Sequence, residues 1–509
     1  MFSQNCTLNL YTVLLFSFFL AVFATNLCAQ SVSKADAIEE IFKKYHQYEG
    51  FQGAVLVAEK GKVIYRDAFG LANREWNIPN QVDGRFNIAS VSKQFTAMLV
   101  MQMYEEGKIH LDSTISSYYT SYRPDVGRKV TVHQLLTHRS GIPNYTSIPY
   151  VWSDSLVNRY SDQEVVKKFC SGDLEFKPGS RYSYNNSGYL ILSVILEKVS
   201  GKSFDKLLEE NILRPLNMQS TGVDHRSRLL DKRSFGYVKD KETYYNAKPM
   251  YMANLQGAGN MYATVDDLYL WDRALHERRL ISAKGHKKMM SAYSQESDNW
   301  ITPFTNSYGY GMGIAKVPGP QNKKLNMVFH SGHITGFSSF MARFVDDEHL
   351  VVMLSNLGEV STVRMNEITQ QVKNVLYDLP YEAPQRSIRN TLIKTIRSQN
   401  VGAAIRQFEK LTVAFPYEYQ DTEGDLYALG QELSGVNRKQ DAIEISRLNA
   451  RINPGWRTYL HLADALYDER FLVEAAHYYQ KSSDNNPRET IAERDAYRRV
   501  AQTLAELNQ

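Results

Sequence analysis

Ser90 and Lys93 stand three residues apart in Phe86-Asn87-Ile88-Ala89-Ser90-Val91-Ser92-Lys93-Gln94-Phe95-Thr96-Ala97-Met98-Leu99, at the point where an apolar helix begins. Positions i and i+3 share a helix face, so the spacing brings a hydroxyl to an amine. A serine hydroxyl is a weak nucleophile until a base takes its proton. An amine half-buried beside a helix N-terminus is such a base, because the partial positive charge there disfavours the ammonium form. The pair reads as the nucleophile and base of a serine hydrolase. Ser-x-x-Lys occurs three times, however, with further copies at Ser31 to Lys34 and Ser203 to Lys206. The first lies beside an export segment, at the start of a charged helix expected over 35–48. The third follows Ser200-Gly201 and reads as a helix start with Ser203 as N-cap. Only the copy at 90 runs into a continuous apolar helix, Phe95 to Tyr104, suited to a domain core.

Two more stretches carry chemistry. In Lys177-Pro178-Gly179-Ser180-Arg181-Tyr182-Ser183-Tyr184-Asn185-Asn186-Ser187-Gly188-Tyr189, a Pro-Gly turn and small polar residues put Tyr184 and Asn186 on a loop entering a helix expected over 189–199. A phenol held near a lysine has its pKa lowered and becomes a proton carrier, and an asparagine offers both a donor and an acceptor to a substrate amide. Among 33 tyrosines a lone Tyr-x-Asn carries almost no weight, so its meaning comes from the company it keeps. In Val328-Phe329-His330-Ser331-Gly332-His333-Ile334-Thr335-Gly336-Phe337 a strand ends in small residues, which lets backbone approach a bound substrate and lets its amides serve an oxyanion. His330 and His333 are not read as metal ligands, since neither His-Glu-x-x-His nor a third clustered ligand accompanies them. No metal and no cofactor are expected.

In this order, Ser90-x-x-Lys93, Tyr184-x-Asn186 and His330-Ser331-Gly332 resemble the serine β-lactamase and penicillin-recognising hydrolase superfamily, in its class C β-lactamase-related branch. Val132 to Pro143 (Val-His-Gln-Leu-Leu-Thr-His-Arg-Ser-Gly-Ile-Pro), Gly257-Ala258-Gly259-Asn260-Met261 and Tyr308-Gly309-Tyr310-Gly311 also look like that branch, and the resemblance runs over about 38–378. It implies that Ser90 is acylated and that Lys93 accepts its proton or keeps Tyr184 basic. Tyr184 would then carry the proton to the leaving group and activate the deacylating water. The choice of general base between Lys93 and Tyr184 stays open, because the two can titrate as a pair. Asn186 is implied to orient Lys93 and the substrate amide, and the backbone amides of Ser90 and His333 to form the oxyanion hole. β-Lactamases and transpeptidases usually carry lysine where this chain has His330, and histidine is mostly neutral near pH 7. Histidine here resembles the esterase and D-aminopeptidase members. The expected substrate is a small-molecule ester, amide or peptide, D-amino-acid-containing substrates included, with weak or no β-lactam turnover. The rival readings are a catalytically silent binding or sensing module and a cell-wall D-peptide carboxypeptidase.

These residues need a scaffold that gathers them. Strand-like runs at Ala54 to Ala58 and Lys62 to Tyr65 form an early hairpin, and three more strands are expected at 325–330, 337–344 and 349–355, with a mainly helical region at 95–300 between. The order predicts an α+β fold: an antiparallel sheet flanked by helices with an inserted all-helical lobe, over 30–380. From 381 to 509 strand signals vanish. Leu429-Gly430, Leu433, Ala442 and Pro454 align with Leu462-Ala463, Leu466, Ala475 and Pro487 at 33-residue spacing. Ala404, Phe408 and Pro416 form a weaker earlier unit. The pattern resembles tetratricopeptide repeats, and a protein or peptide partner is expected on that unit.

Leu8 to Ala24 reads as the apolar core of an export signal spanning 1–29, although no Lys or Arg precedes it; an uncleaved anchor is the rival. The expected location is the bacterial periplasm or exterior, with the membrane involved only through that signal. Cleavage after Ala29 would leave Cys170 as the lone thiol, read as structural. A net charge of +4 over 509 residues leaves no basic footprint for nucleic acid.

Overall fold

The computed structural model describes residues 33–48, 51–148, 151, 158–225, 227–240, 243–295, 306–358, 360, 362–382, 386–415, 419, 422–485 and 505. The expected export signal, Pro416 and Pro487 lie outside them. The chain divides into two compact units, one whose bulk runs Gly50–Tyr381 and one from Glu382 onward.

The first unit is built on an eight-stranded sheet of β1 (Gly53–Glu59), β2 (Lys62–Phe69), β3 (Ser294–Gln295), β4 (Asn306–Tyr308), β5 (Gly313–Pro318), β6 (Lys324–Ile334), β7 (Phe337–Phe344) and β8 (His349–Ser355). Their order across the sheet is β3-β4-β5-β6-β7-β8-β1-β2, with every pair antiparallel. Strands from both ends of the unit thus meet at the β8–β1 pair. β1, β7 and β8 at the middle of the sheet are buried on both faces, and alternation divides their side chains between two cores. Val55, Val57, Val351, Met353, Phe340 and Ala342 face one core, closed by α1 (Lys34–Gln47). Ala54, Leu56, Val352, Leu354 and Val328 face the other, larger core.

That larger core holds α2 (Lys93–Glu105), α3 (Asn186–Ser200) and α4 (Val265–Glu277). Ten of the thirteen residues of α2 are buried, as its unbroken apolar run requires of a helix wrapped on all sides. Phe95 stacks on Trp271 of α4 with ring centres 4.3 Å apart, and the Trp271 Nε1–H donates to Gln94 Oε1 at 3.0 Å, which satisfies the buried indole N–H. Ser203 caps its helix as expected, accepting from the Lys206 amide, so that Ser-x-x-Lys is structural. Cys170 is buried, and burial pushes its thiol up to about 12. α5 (Thr362–Leu376) adds Met365, Ile368 and Val372 to the core under α1.

The second unit is all-helical among its described residues: α6 (Ile388–Ser398), α7 (Val401–Ala414), α8 (Thr422–Gly435), α9 (Lys439–Ile452), α10 (Trp456–Asp468) and α11 (Leu472–Asp484). Leu429, Leu433 and Ala442 are buried in one cluster, and their counterparts Leu462, Leu466 and Ala475 in the next. No helix among the described residues is long and apolar enough to cross a membrane.

Candidate active site

Ser90 sits on a 3-10 turn, Ala89–Ser92, that leads into α2, rather than on the helix itself. In such a turn i and i+3 eclipse, which suits a Ser–Lys contact better than the α-helical spacing the sequence suggests. Ala89 is held at φ +46°, a left-handed conformation that costs an L-residue on the order of 1–2 kcal/mol. Three bonds hold the turn: Ile88 N–H to the Met261 carbonyl (3.0 Å), the Ser339 hydroxyl to the Ile88 carbonyl (2.7 Å) and the Ser92 hydroxyl to the Ala89 carbonyl (2.6 Å).

Lys93 opens α2 with its side chain fully buried. Its Nζ lies 3.1 Å from Ser90 Oγ, 2.7 Å from Asn186 Oδ1 and 2.7 Å from the Ala258 carbonyl oxygen. All three partners are neutral, so nothing offsets the loss of water, and burial holds the amine well below the ordinary lysine range. The Ala258 carbonyl is a partner that sequence reasoning missed. The Gly257-Ala258-Gly259 stretch was legible, but a main-chain carbonyl has no side-chain signature. Thr96 Oγ1 pins the same loop by donating to the Gly257 carbonyl at 2.7 Å. Gly311, at φ +74°, lies so close that an added Cβ would be 2.6 Å from the Lys93 carbonyl oxygen, which explains the Tyr308 to Gly311 stretch.

Asn186 is the first residue of α3, not part of the loop before it, because Asn185 is the N-cap and accepts from the Gly188 amide at 2.7 Å. Asn186 Nδ2 donates to Thr146 Oγ1 at 2.7 Å, which turns its Oδ1 toward Lys93. Asn185 Nδ2 also donates to the Ile142 carbonyl at 2.6 Å. Asn185→Ala is therefore expected to lower stability by about 2 kcal/mol, readable as a reduced urea midpoint, through loss of the cap and an orphaned carbonyl. The Tyr184 ring, just before the cap, has its centre 4.9 Å from Lys93 Nζ, and its hydroxyl oxygen is buried.

β6 does not stop at His330 but continues paired to β7 through Ile334, so Ser331, Gly332 and His333 are strand residues. Alternation places His330 and Gly332 with Val328 and Ile334, toward the core that holds α2; Ser331 and His333 take the other parity. His333 is exposed, with Nδ1 3.4 Å from Ser338 Oγ. Gly332 lies against the nucleophile turn: a Cβ there would be 2.3 Å from the Ile88 carbonyl oxygen and 3.1 Å from Ala89 Cβ.

Both nitrogens of His330 are engaged inside the protein. Nδ1 is 2.6 Å from the Ser331 carbonyl, which only accepts, so Nδ1 carries the proton. Nε2 therefore accepts from the Tyr308 hydroxyl at 2.8 Å. Burial, and then the neighbouring Lys93, push the imidazole down to about 3, so it is neutral at physiological pH. Tyr308 was not singled out as a site residue by the sequence. The structure thus brings Ser90, Lys93, Asn186, Tyr184 and His330 into one cluster, with Gly332 behind the nucleophile. It leaves the Ser331 and His333 side chains pointing away from it.

Sequence comparison matches residues 38–372 to the family described as Beta-lactamase. Penicillin-binding protein 4* of Bacillus subtilis (strain 168) is 29% identical over 395 residues, covering 74% of this chain and 84% of its own length. The penicillin-binding protein homologue from Pyrococcus abyssi superposes with a TM-score of 0.57 at 26% identity, over 71% of this chain and 81% of that one. The D-amino acid amidase from Ochrobactrum anthropi SV3, solved with L-phenylalanine amide, has a TM-score of 0.59 at 23% identity, over 68% and 99%, a likeness of fold.

Proposed function

As the chain belongs to the beta-lactamase family, we propose that it is an exported serine hydrolase that cleaves small esters or amides through an acyl-enzyme on Ser90. The observation that carries this reading is the bonding of Lys93. Asn186 Oδ1 and the Ala258 carbonyl can only accept, so a neutral amine gives its two hydrogens to them and turns its lone pair on Ser90 Oγ. That arrangement supports Lys93 as the general base of acylation. Ser90 Oγ bonds to the substrate carbonyl carbon while its proton passes to Lys93 Nζ. The tetrahedral intermediate then collapses, the bond to the leaving group breaks, and the proton returns to that group with Tyr184 as the carrier beside Lys93. Water then attacks the acyl carbon, the bond from that carbon to Ser90 Oγ breaks to release the acid, and the proton taken from the water restores the Ser90 hydroxyl. The main-chain amides of Ser90 and His333 would stabilise the oxyanion.

His330 supports the substrate class. With both nitrogens committed and the ring neutral, it offers no cation to a substrate carboxylate. An ester, amide or short peptide without a carboxylate beside the scissile bond fits better than a β-lactam. The test is a fluorophosphonate probe with a panel of short acyl esters, D-amino-acid amides and nitrocefin. Wild type is expected to label and to turn over esters or amides, and Ser90→Ala to lose both. Labelling that survives Ser90→Ala would sink the proposal, and nitrocefin turnover as fast as ester turnover would overturn the substrate preference.

The second unit is proposed to be a tetratricopeptide-type repeat that receives a peptide partner. Support comes from the matching burial of Leu429, Leu433 and Ala442 with Leu462, Leu466 and Ala475, 33 residues on.

A further inference from the structure

We infer that His138 is a positioning residue for the proposed reaction, setting Tyr184 and Asn186 in place through its backbone carbonyl and its Nδ1. The inference rests on the serine hydrolase reading of Ser90, Lys93 and Tyr184. His138 follows the short helix Val132–Leu136, is fully buried, and is held at φ +56°. Its carbonyl accepts from the Ser183 amide at 2.8 Å, and its Nδ1 accepts from the Asn185 amide at 3.0 Å. One residue thus grips the chain immediately before and immediately after Tyr184. Asn185 in turn caps α3, whose first residue, Asn186, holds Lys93. The path from His138 to the amine passes through two consecutive residues.

The chemistry at this position calls for an acceptor. A backbone amide can only donate, so Nδ1 must carry a lone pair and the proton sits on Nε2. The ring is packed among Tyr184, Tyr308, Tyr189 and Tyr182, with centre distances of 4.4, 4.5, 5.1 and 5.8 Å. Burial, then Lys93 and His330, hold it well below the ordinary histidine range, which keeps Nδ1 free of a second proton. Nε2 is buried without a hydrogen-bond partner among the described residues. An orphaned donor is a cost that leucine or phenylalanine would avoid. Packing alone therefore does not account for histidine here, whereas its acceptor and its tolerance of the left-handed turn do.

Asparagine tests this directly. Its Oδ1 occupies nearly the position of Nδ1, and asparagine is among the residues that accept positive φ. His138→Leu keeps the bulk and loses the acceptor. His138→Leu is expected to cut the rate of Ser90 labelling by fluorophosphonate, and kcat, about 10²-fold, the penalty of an ångström-scale misplacement, with KM changed by less than about threefold. His138→Asn is expected to recover most of that loss. His138→Ala replaces the leucine variant if the latter does not fold. A leucine or alanine variant that labels at the wild-type rate overturns the inference, as does an asparagine variant impaired as deeply as leucine. A crystal structure of the variant reads the position of Tyr184 without reference to activity. Tyr184 unmoved there also overturns it, whereas a wild type that never labels refutes the hydrolase reading instead.

Discussion

Lys93→Met is expected to slow acylation of Ser90 by about 10³-fold, within the range that a positioned general base supplies. Methionine keeps most of the apolar stem of the side chain, and its thioether sulfur is far too weak a base to take the Ser90 proton. Stability is expected to change little, because two opposing effects meet. The Asn186 Oδ1 and the Ala258 carbonyl lose their donor, at about 1–3 kcal/mol for each buried group left unsatisfied. Against that, a fully buried amine is replaced by an apolar chain. Pre-steady-state burst kinetics and a thermal melt measure the two quantities separately. In wild type the acylation rate should rise with pH through a limb that belongs to Lys93. Its depressed pKa means that raising the pH depletes the ammonium and fills the lone pair well below the usual lysine range. His330 contributes no limb near neutrality, since its proton equilibrium lies near pH 3. A limb left in place by the methionine substitution would remove Lys93 from the role of base.

Gly332→Ala is expected to cost about 10²-fold in kcat/KM and about 1–3 kcal/mol in stability. The new methyl would lie 2.3 Å from the Ile88 carbonyl oxygen and from Ser339 Oγ, and 3.1 Å from Ala89 Cβ. A side-chain oxygen can rotate away, but a main-chain carbonyl two residues before the nucleophile cannot move without carrying Ser90 with it. The same contact breaks the Ser339 bond that helps hold Ala89 in its left-handed turn. Gly259→Ala is the control. It adds the same methyl beside Ala89, but no atom lies nearer than 3.6 Å, so activity should stay within a few-fold of wild type. Equal losses in the two variants would show that the proximity of β6 to the turn is irrelevant.

The parts of the site that the sequence made legible are those whose chemistry is written in side-chain letters at short range. Ser90 and Lys93 fall in this class, since their spacing alone brings them together and the apolar run after them demands burial. The strands at the two ends of the first unit were legible too, because β-branched and aromatic runs bounded by turns leave few alternatives. What stayed hidden depends on contacts between distant segments. No pattern announces that the Ala258 carbonyl meets Lys93 165 residues away, or that Tyr308 rather than another tyrosine bonds His330. Serine and glycine usually mark the end of a strand, so Ser331 and Gly332 hide the continuation of β6 past His330. Pairing with β7 along Ser331 to Ile334 overrides that local preference. The 3-10 turn under Ser90 was hidden for a similar reason, since Ala89 takes its conformation from the loop and strand that clamp it.

The neutral surroundings of Lys93 also bear on which bonds such a cleft can break. A cation created on that nitrogen has no anion beside it among the described residues, so it is lodged at high energy until something carries it off. Departing groups that gain basicity as they leave, such as amines and alkoxides, remove it in the act of departing. Phosphates and carboxylates, content to leave as anions, would abandon it in a dry interior.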